Sequence, residues 1–344
     1  MNVLVVGAGP AGLRVAERLA GEGISVTVFE QLKGIPRKVC SGLLSSRTVK
    51  RFGLKGLEEN VVHGARIHAG NEEIFVERRR VAYVFDRGVL DSDLAERAES
   101  AGASILFGRR WTGERADVTV GADGFSSSVR RALGLKAPRY IMGAIGFVKG
   151  VFDSYVDVYL DSSIAPGFFA WVIPRSEGVA EVGLGVDSAH SSEVLARLRA
   201  FARRLGYDNL ELRGARPIPV DRPMLRVVSG NAALVGDAAV QTKATTGGGI
   251  SYGLRAADAL SDAIASGDIC LYQRFHRTYI YPRLLIHWVA RSYLNRVDSE
   301  RLLRLVEEYG IDEKLSERGD MDDPLFLLSP GFLGFIFRSA ALLI

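Results

Sequence analysis

Cysteine is nearly absent: Cys40 and Cys270 are the only two in 344 residues. No disulfide framework and no cysteine-built metal set is available, and no metal ion is expected. Charge of one sign is also lacking. The 44 Lys and Arg nearly balance 40 Asp and Glu, for a net charge of +4. That balance argues only weakly for an anionic membrane and leaves no nucleic-acid partner expected. No uninterrupted apolar run reaches the roughly 20 residues that span a bilayer. The stretch 325–344 comes closest, and Pro330, Gly331, Gly334 and Arg338 interrupt it. The chain runs straight into an apolar strand at its start, with no room for a secretory signal, so a cytoplasmic location is the expectation. What is present is a 47% hydrophobic composition, enough for a sizeable core, in a length that suits two domains or one large one.

The first thirty residues carry the strongest pattern. An apolar run, Val3-Leu4-Val5-Val6, leads into Gly7-Ala8-Gly9-Pro10-Ala11-Gly12 and a helical stretch to about Gly23. Ser25-Val26-Thr27-Val28-Phe29 follows and ends at Glu30. Strand, glycine turn, helix, strand and acidic residue suit a dinucleotide. Gly7 permits the tight turn, Gly9 lets the backbone approach a pyrophosphate, and Gly12 lets helix pack on strand. The helix N-terminus offers N–H groups and a positive dipole end to the phosphates. Glu30 stands where a carboxylate takes the ribose hydroxyls, which favours FAD or NAD over NADP.

Residues 61 to 85 alternate loosely and read as short antiparallel strands; Leu90 to Ala101 reads as a helix. From about Leu135 the texture changes to short alternating stretches separated by turns, up to Val186, as in an antiparallel sheet. Gly249 to Ser266 is a strong helical pattern, and 270 to 310 is largely helical. Glycine–aspartate sites recur on both sides of the antiparallel block, at Gly121-Ala122-Asp123-Gly124 and Gly236-Asp237. The expected fold is therefore α/β: a discontinuous Rossmann-like FAD-binding domain (1–60, 86–136 and 220–268), an inserted antiparallel-sheet substrate domain (61–85 and 137–219) and a C-terminal helical region (269–344). Asp237 can accept from a ribityl or ribose hydroxyl. The Gly247-Gly248-Gly249 mouth of the following helix offers N–H groups to a flavin ring edge and would stabilise a reduced, anionic flavin.

These motifs, with Asp86-Arg87, Asp91 and Leu94, resemble the flavoproteins of the p-hydroxybenzoate-hydroxylase fold, and within them the geranylgeranyl reductases. Three stretches carry the closer resemblance. Lys38-Val39-Cys40-Ser41-Gly42 is similar to that family's cysteine-glycine loop. Phe169-Ala170-Trp171-Val172-Ile173-Pro174-Arg175 is similar to its Y-x-W-x-F-P-K strand, and Thr246-Gly247-Gly248-Gly249-Ile250 follows Gly236-Asp237 as it does there. The chain departs at Ser41, where glycine is usual, and with Phe169 for tyrosine, Ile173 for phenylalanine and Arg175 for lysine.

The resemblance implies FAD contacts at Ala11, Glu30, Cys40, Ser41, Leu43, Arg87, the backbone near Trp111, Asp237, Gly249 and Ile250, beside Gly7, Gly9 and Gly12. The Arg87 guanidinium also suits the pyrophosphate or adenosine end on its own chemistry. Cys40 is the candidate catalytic residue: Arg37 and Lys38 beside it favour a thiolate, whereas the plain alternative is a small side chain packing on the isoalloxazine; pairing with Cys270 is a third course. Phe169 and Trp171 share a strand face and are the candidate substrate-binding residues of an apolar tunnel, to which Phe147 and Tyr159 are open additions. The apolar tail from Phe326 to Phe337 suits a core helix or peripheral contact with the inner face of the membrane.

The implied activity is saturation of C=C bonds in isoprenoid, geranylgeranyl-type chains of a lipid, diphosphate or quinone. No second strand–GxGxxG–helix unit appears, so the electron donor is expected to be a small acidic redox protein such as a ferredoxin, or transiently bound NAD(P)H. The pI near 9.0 favours the former weakly. Two other readings stay open on the same residues: a flavin-dependent monooxygenase, and a non-catalytic lipid- or quinone-binding flavoprotein.

Overall fold

The structure, a computed structural model, describes residues 1–35, 38–308 and 310–325. Arg37, one of the two cations expected beside Cys40, and the apolar tail from Phe326 onward lie outside the described residues. The chain divides into two units. The first comprises Met1–Lys38, Arg87–Arg139 and Ile218–Trp288; the second comprises Val39–Asp86, Tyr140–Pro217 and the described residues from Val289 onward.

The first unit is built on a six-stranded sheet in the order Val228–Ser229, Ala232–Leu234, Val118–Gly121, Asn2–Val6, Ser25–Glu30, Ser104–Phe107. Its strands run parallel except for the hairpin edge Val228–Ser229. Val3, Leu4, Val5 and Val6 are all buried, as a parallel sheet covered on both faces requires. The helix Pro10–Gly21 buries Leu13, Ala16, Leu19 and Ala20, whose spacing puts them on one face, and it starts with Pro10 at its first position, where the missing N–H costs nothing.

The second unit carries an eight-stranded sheet: Glu211–Pro219, Tyr140–Lys149, Val179–Asp187, Ala170–Ser176, Val156–Tyr159, Asn60–Ala69, Glu72–Val84, Leu43–Ser45. The adjacent pairs Val179–Asp187 with its two neighbours, and Asn60–Ala69 with Glu72–Val84, are antiparallel; Asn60–Ala69 and Val156–Tyr159 run parallel, joining two antiparallel groups into one sheet. Residues 39–60, which the sequence assigns to the nucleotide-binding domain, fall in this unit. The physical reason is the pairing of Leu43, Leu44 and Ser45 with Val84, Tyr83 and Ala82. Likewise the helical region divides inside the helix Tyr281–Leu294 rather than at 269.

One face of the central strands packs Ala180, Val182, Leu184 and Val186 against Leu198, Phe201 and Ala202 of the helix Val194–Arg204, forming the core of this unit. Strand alternation places Glu181, Gly183 and Gly185 on the opposite face, together with Trp171, Ile145 and Phe147, by their register.

Candidate functional site

The glycine turn of the first unit is closed by its neighbours. Gly7 has φ +104°, and a Cβ there would stand 2.5 Å from the Ala122 carbonyl oxygen. A Cβ on Gly12 would stand 2.1 Å from the Gly7 oxygen and 3.0 Å from Ala122 Cβ. The Gly121–Gly124 motif therefore abuts the turn, which explains why both motifs need small residues. Gly9 differs. Among the described residues a Cβ there would meet only Lys38 Nζ, at 3.5 Å, and Gly9, at the N-cap, makes no side-chain cap of the helix it opens. Space and unsatisfied N–H groups at a positive dipole end are what a pyrophosphate needs.

The charge around Gly9 was only partly legible in sequence. Asp91, fully buried, accepts a bidentate pair of hydrogen bonds from Arg87 at 3.0 and 2.9 Å, and Lys38 Nζ lies 3.3 Å from its Oδ2. Both cations thus engage one carboxylate, and the Lys38 ammonium stands beside Gly9. Arg87 is thus a buried helix-start residue held by Asp91, and Lys38 directs its ammonium at Asp91.

Glu30 is buried at the end of its strand. Its Oε2 accepts from Ala8 N at 3.0 Å and its Oε1 from Leu32 N at 2.9 Å. Each carboxylate oxygen retains a lone pair for a ribose hydroxyl. Arg109 N donates to the Glu30 carbonyl at 2.9 Å, which brings the start of the Trp111 loop to the same place. Trp111 itself closes a local turn, its Nε1 donating to the Glu114 carbonyl at 3.0 Å.

Asp237 and Gly249 meet as well. Asp237 Oδ1 lies 2.9 Å from where a Gly249 Cβ would be, and Cβ atoms on Gly236 and Gly253 would stand 3.2 and 3.3 Å from Ala11 Cβ. Ala11, Gly236 and Gly253 thus let the glycine turn, the aspartate turn and the helix Ile250–Ala265 approach closely. Gln241 supports this turn by accepting from Gly236 N at 2.8 Å, and it contacts Tyr272 and His276 behind it. Lys243, which the sequence reading did not single out, is buried at the mouth of this helix, with its N–H donating to the Gly248 carbonyl at 3.0 Å.

In the second unit, Cys40 is half-buried and free; Cys270, in the first unit, is exposed and also free. Gly42 has φ +64°, and a Cβ there would overlap the Phe85 carbonyl oxygen at 2.1 Å. Leu43 follows as the first residue of the strand paired with Val84. Trp171 lies over Gly183, where a Cβ would come within 2.3 Å of the indole; Phe168 lies over Gly185 in the same way. Phe169 meets Trp171 edge to face at 5.6 Å and stacks on Phe168 at 4.3 Å. The two open additions separate. Phe147 is on the Trp171 face, flanked by the Arg175 and Arg213 guanidinium groups. Tyr159 pairs with Ala170 on the other face and packs on Phe201, where burial, then Asp157, push its hydroxyl up to about 12.

The fold and the glycine cradle define a FAD-binding flavoprotein. A FAD binding domain profile matches residues 1–267. A digeranylgeranylglycerophospholipid reductase of Methanothrix thermoacetophila is 30% identical, with 96% of this chain and 97% of that protein covered. The solved structure of a geranylgeranyl bacteriochlorophyll reductase-like protein from Thermoplasma acidophilum superposes with a TM-score of 0.85 at 26% identity, covering 99% of this chain and 98% of that one. The p-nitrophenol 4-monooxygenase of Pseudomonas putida has a TM-score of 0.69 at 18% identity over 98% and 97% of the two chains, a likeness of fold alone. The chain belongs to the geranylgeranyl reductase family of FAD-dependent oxidoreductases, and FAD is its cofactor.

Proposed function

We propose that this protein saturates C=C bonds in the isoprenoid chains of a glycerophospholipid, the substrate class named for its archaeal relatives. The observation that carries the reading is the ring-over-glycine pair, Trp171 on Gly183. Trp171 is 8% exposed, and the half-buried Phe169 ring extends it on the sheet face away from the core. An unfunctionalised hydrocarbon offers nothing to hydrogen-bond, so rings are what can hold and orient it.

Bound FAD, when reduced, supplies a hydride to one alkene carbon, and a proton to the other completes each saturated bond. The chain's own residues bind and shield. Gly7, Gly9, Ala11 and Gly12 admit the phosphates, and the Lys38–Asp91–Arg87 group meets their charge. Glu30 takes the ribose hydroxyls and Asp237 the ribityl chain. Gly249, Ile250 and buried Lys243 hold negative charge at the helix mouth. Cys40, Ser41 and Leu43 complete the flavin contacts together with the Trp111 backbone, and Cys40 is the candidate for a chemical role. Phe169 and Trp171 orient the chain and exclude water.

The electron donor is a small acidic redox protein such as a ferredoxin, or NAD(P)H, and the site works at the inner membrane face by peripheral contact. Among the described residues no helix is long and apolar enough to cross a membrane. The test is anaerobic: reduce the flavoprotein chemically, add digeranylgeranylglycerophospholipid, and follow the visible spectrum. Reoxidation without oxygen is the expected result. A spectrum that stays reduced until air enters would move the function to the monooxygenase reading, to the non-catalytic lipid- or quinone-binding flavoprotein, or to a different alkene.

A further inference from the structure

We propose that Glu181 is a positioning residue that locks the Cys40 loop to the aromatic strand. Glu181 is completely buried on the same sheet face as Trp171 and Gly183. Its Oε1 accepts from Trp171 Nε1 at 2.9 Å and from Ser41 Oγ in a short hydrogen bond. Its Oε2 accepts from Arg175 Nη1 at 3.0 Å. Oε1 therefore joins Ser41 to Trp171 across a long separation in sequence, and Oε2 takes the neutralising cation.

Arg175 extends the clamp. The same Nη1 donates to the Ser41 carbonyl at 3.1 Å, Nη2 donates to the Phe85 carbonyl at 2.9 Å, and Nε and Nη2 hold Glu59 at 2.8 and 2.6 Å. Ser41 is thus fixed by side chain and carbonyl at once. Gly42, next along the chain, accepts from Phe85 N at 3.1 Å through its carbonyl, and a Cβ on it would overlap the Phe85 carbonyl oxygen. Cys40 precedes these two held residues, so where its backbone stands depends on the clamp around Glu181.

A buried carboxylate with this many partners is an expensive way to close a sheet. The core of the unit lies on the opposite face, among Val182, Leu184, Leu198 and Phe201, and does not include Glu181. The arrangement makes more sense as a means of setting where Cys40 stands relative to Trp171. The inference rests on the reading of these two residues as parts of one working site.

The experiment uses the full FAD-loaded protein with Cys270→Ser, which leaves Cys40 as the single thiol. The rate of Cys40 modification by N-ethylmaleimide is measured with neither substrate nor electron donor present, so its outcome is independent of the proposed reductase activity. A glutamine at 181 can accept at one oxygen only and turns an amide donor towards the remaining donors. Glu181→Gln is expected to raise the rate about tenfold, the order of one lost charge-assisted hydrogen bond. Ser41→Ala, which leaves the Glu181–Trp171 and Glu181–Arg175 bonds in place, should raise it by a smaller factor, and Ser41→Thr, which keeps the hydroxyl, should return it to the parent rate. Should Glu181→Gln fail to fold, the Ser41 pair decides. An unchanged Cys40 rate in folded Ser41→Ala, or an equal rise in Ser41→Thr, overturns the proposal.

Discussion

Ala8 and Glu30, 22 residues apart, are tied by a hydrogen bond of 3.0 Å from the backbone N–H of the glycine turn to Glu30 Oε2. The acidic residue thus shapes the turn from within, in addition to the ribose-binding role proposed for it. Glu30→Gln keeps one acceptor and loses the charge, so FAD affinity should fall by about tenfold or more. Titration of the apoprotein with FAD, followed by flavin fluorescence, measures it.

The glycines of the turn should respond differently to alanine. Gly12→Ala places a Cβ 2.1 Å from the Gly7 carbonyl, against backbone, so the apoprotein itself should lose stability by several kcal/mol, about the scale of a forced steric overlap. Among the described residues Gly9→Ala meets only the movable end of Lys38, so the apoprotein should melt as the parent does while FAD binding weakens. Thermal melts of both apoproteins beside FAD titrations separate the two effects.

Cys40→Ala removes a half-buried thiol that no disulfide uses. FAD loading should persist and turnover should drop substantially. Unchanged turnover would leave Cys40 a packing residue, and the flavin content of the purified variant controls for cofactor loss.

His276 gives a pH dependence. Burial holds its imidazole down at about 4, outweighing the Met224 carbonyl beside it. Nε2 lies 2.7 Å from that carbonyl and donates to it, so Nδ1 is the acceptor for Gln241 Nε2 at 3.2 Å. The unfolded chain takes up a proton near the ordinary value of 6.5, so stability from this group is complete above pH 6.5. It is lost as pH falls towards 4, by about 3 kcal/mol in all. Denaturant unfolding between pH 7 and pH 4 should show this slope, and His276→Gln should flatten it.

Sequence made the local constraints visible. The Gly7–Gly12 turn, Glu30 and the Asp237–Gly249 pair are each set within a few residues or by a motif spacing that only small or acidic residues satisfy. Long-range partners were hidden. Nothing near Asp91 in sequence points to Lys38, and nothing near Ser41 points to Glu181, 140 residues away. The short strand Leu43–Ser45 carries no local signal, because its partner lies at 82–84. Phe147 and Tyr159 look equivalent as aromatic residues, and only strand register assigns them to opposite faces.

Product mass tests the central claim most directly. Reduced, FAD-loaded protein is incubated without oxygen with digeranylgeranylglycerophospholipid, beside Trp171→Ala, and the lipid is analysed by mass spectrometry. The account predicts a rise of two hydrogens for each bond reduced, with no oxygen incorporated, and a large loss of product in Trp171→Ala at equal flavin content. Unchanged lipid mass from the fully reduced, FAD-loaded parent would contradict it.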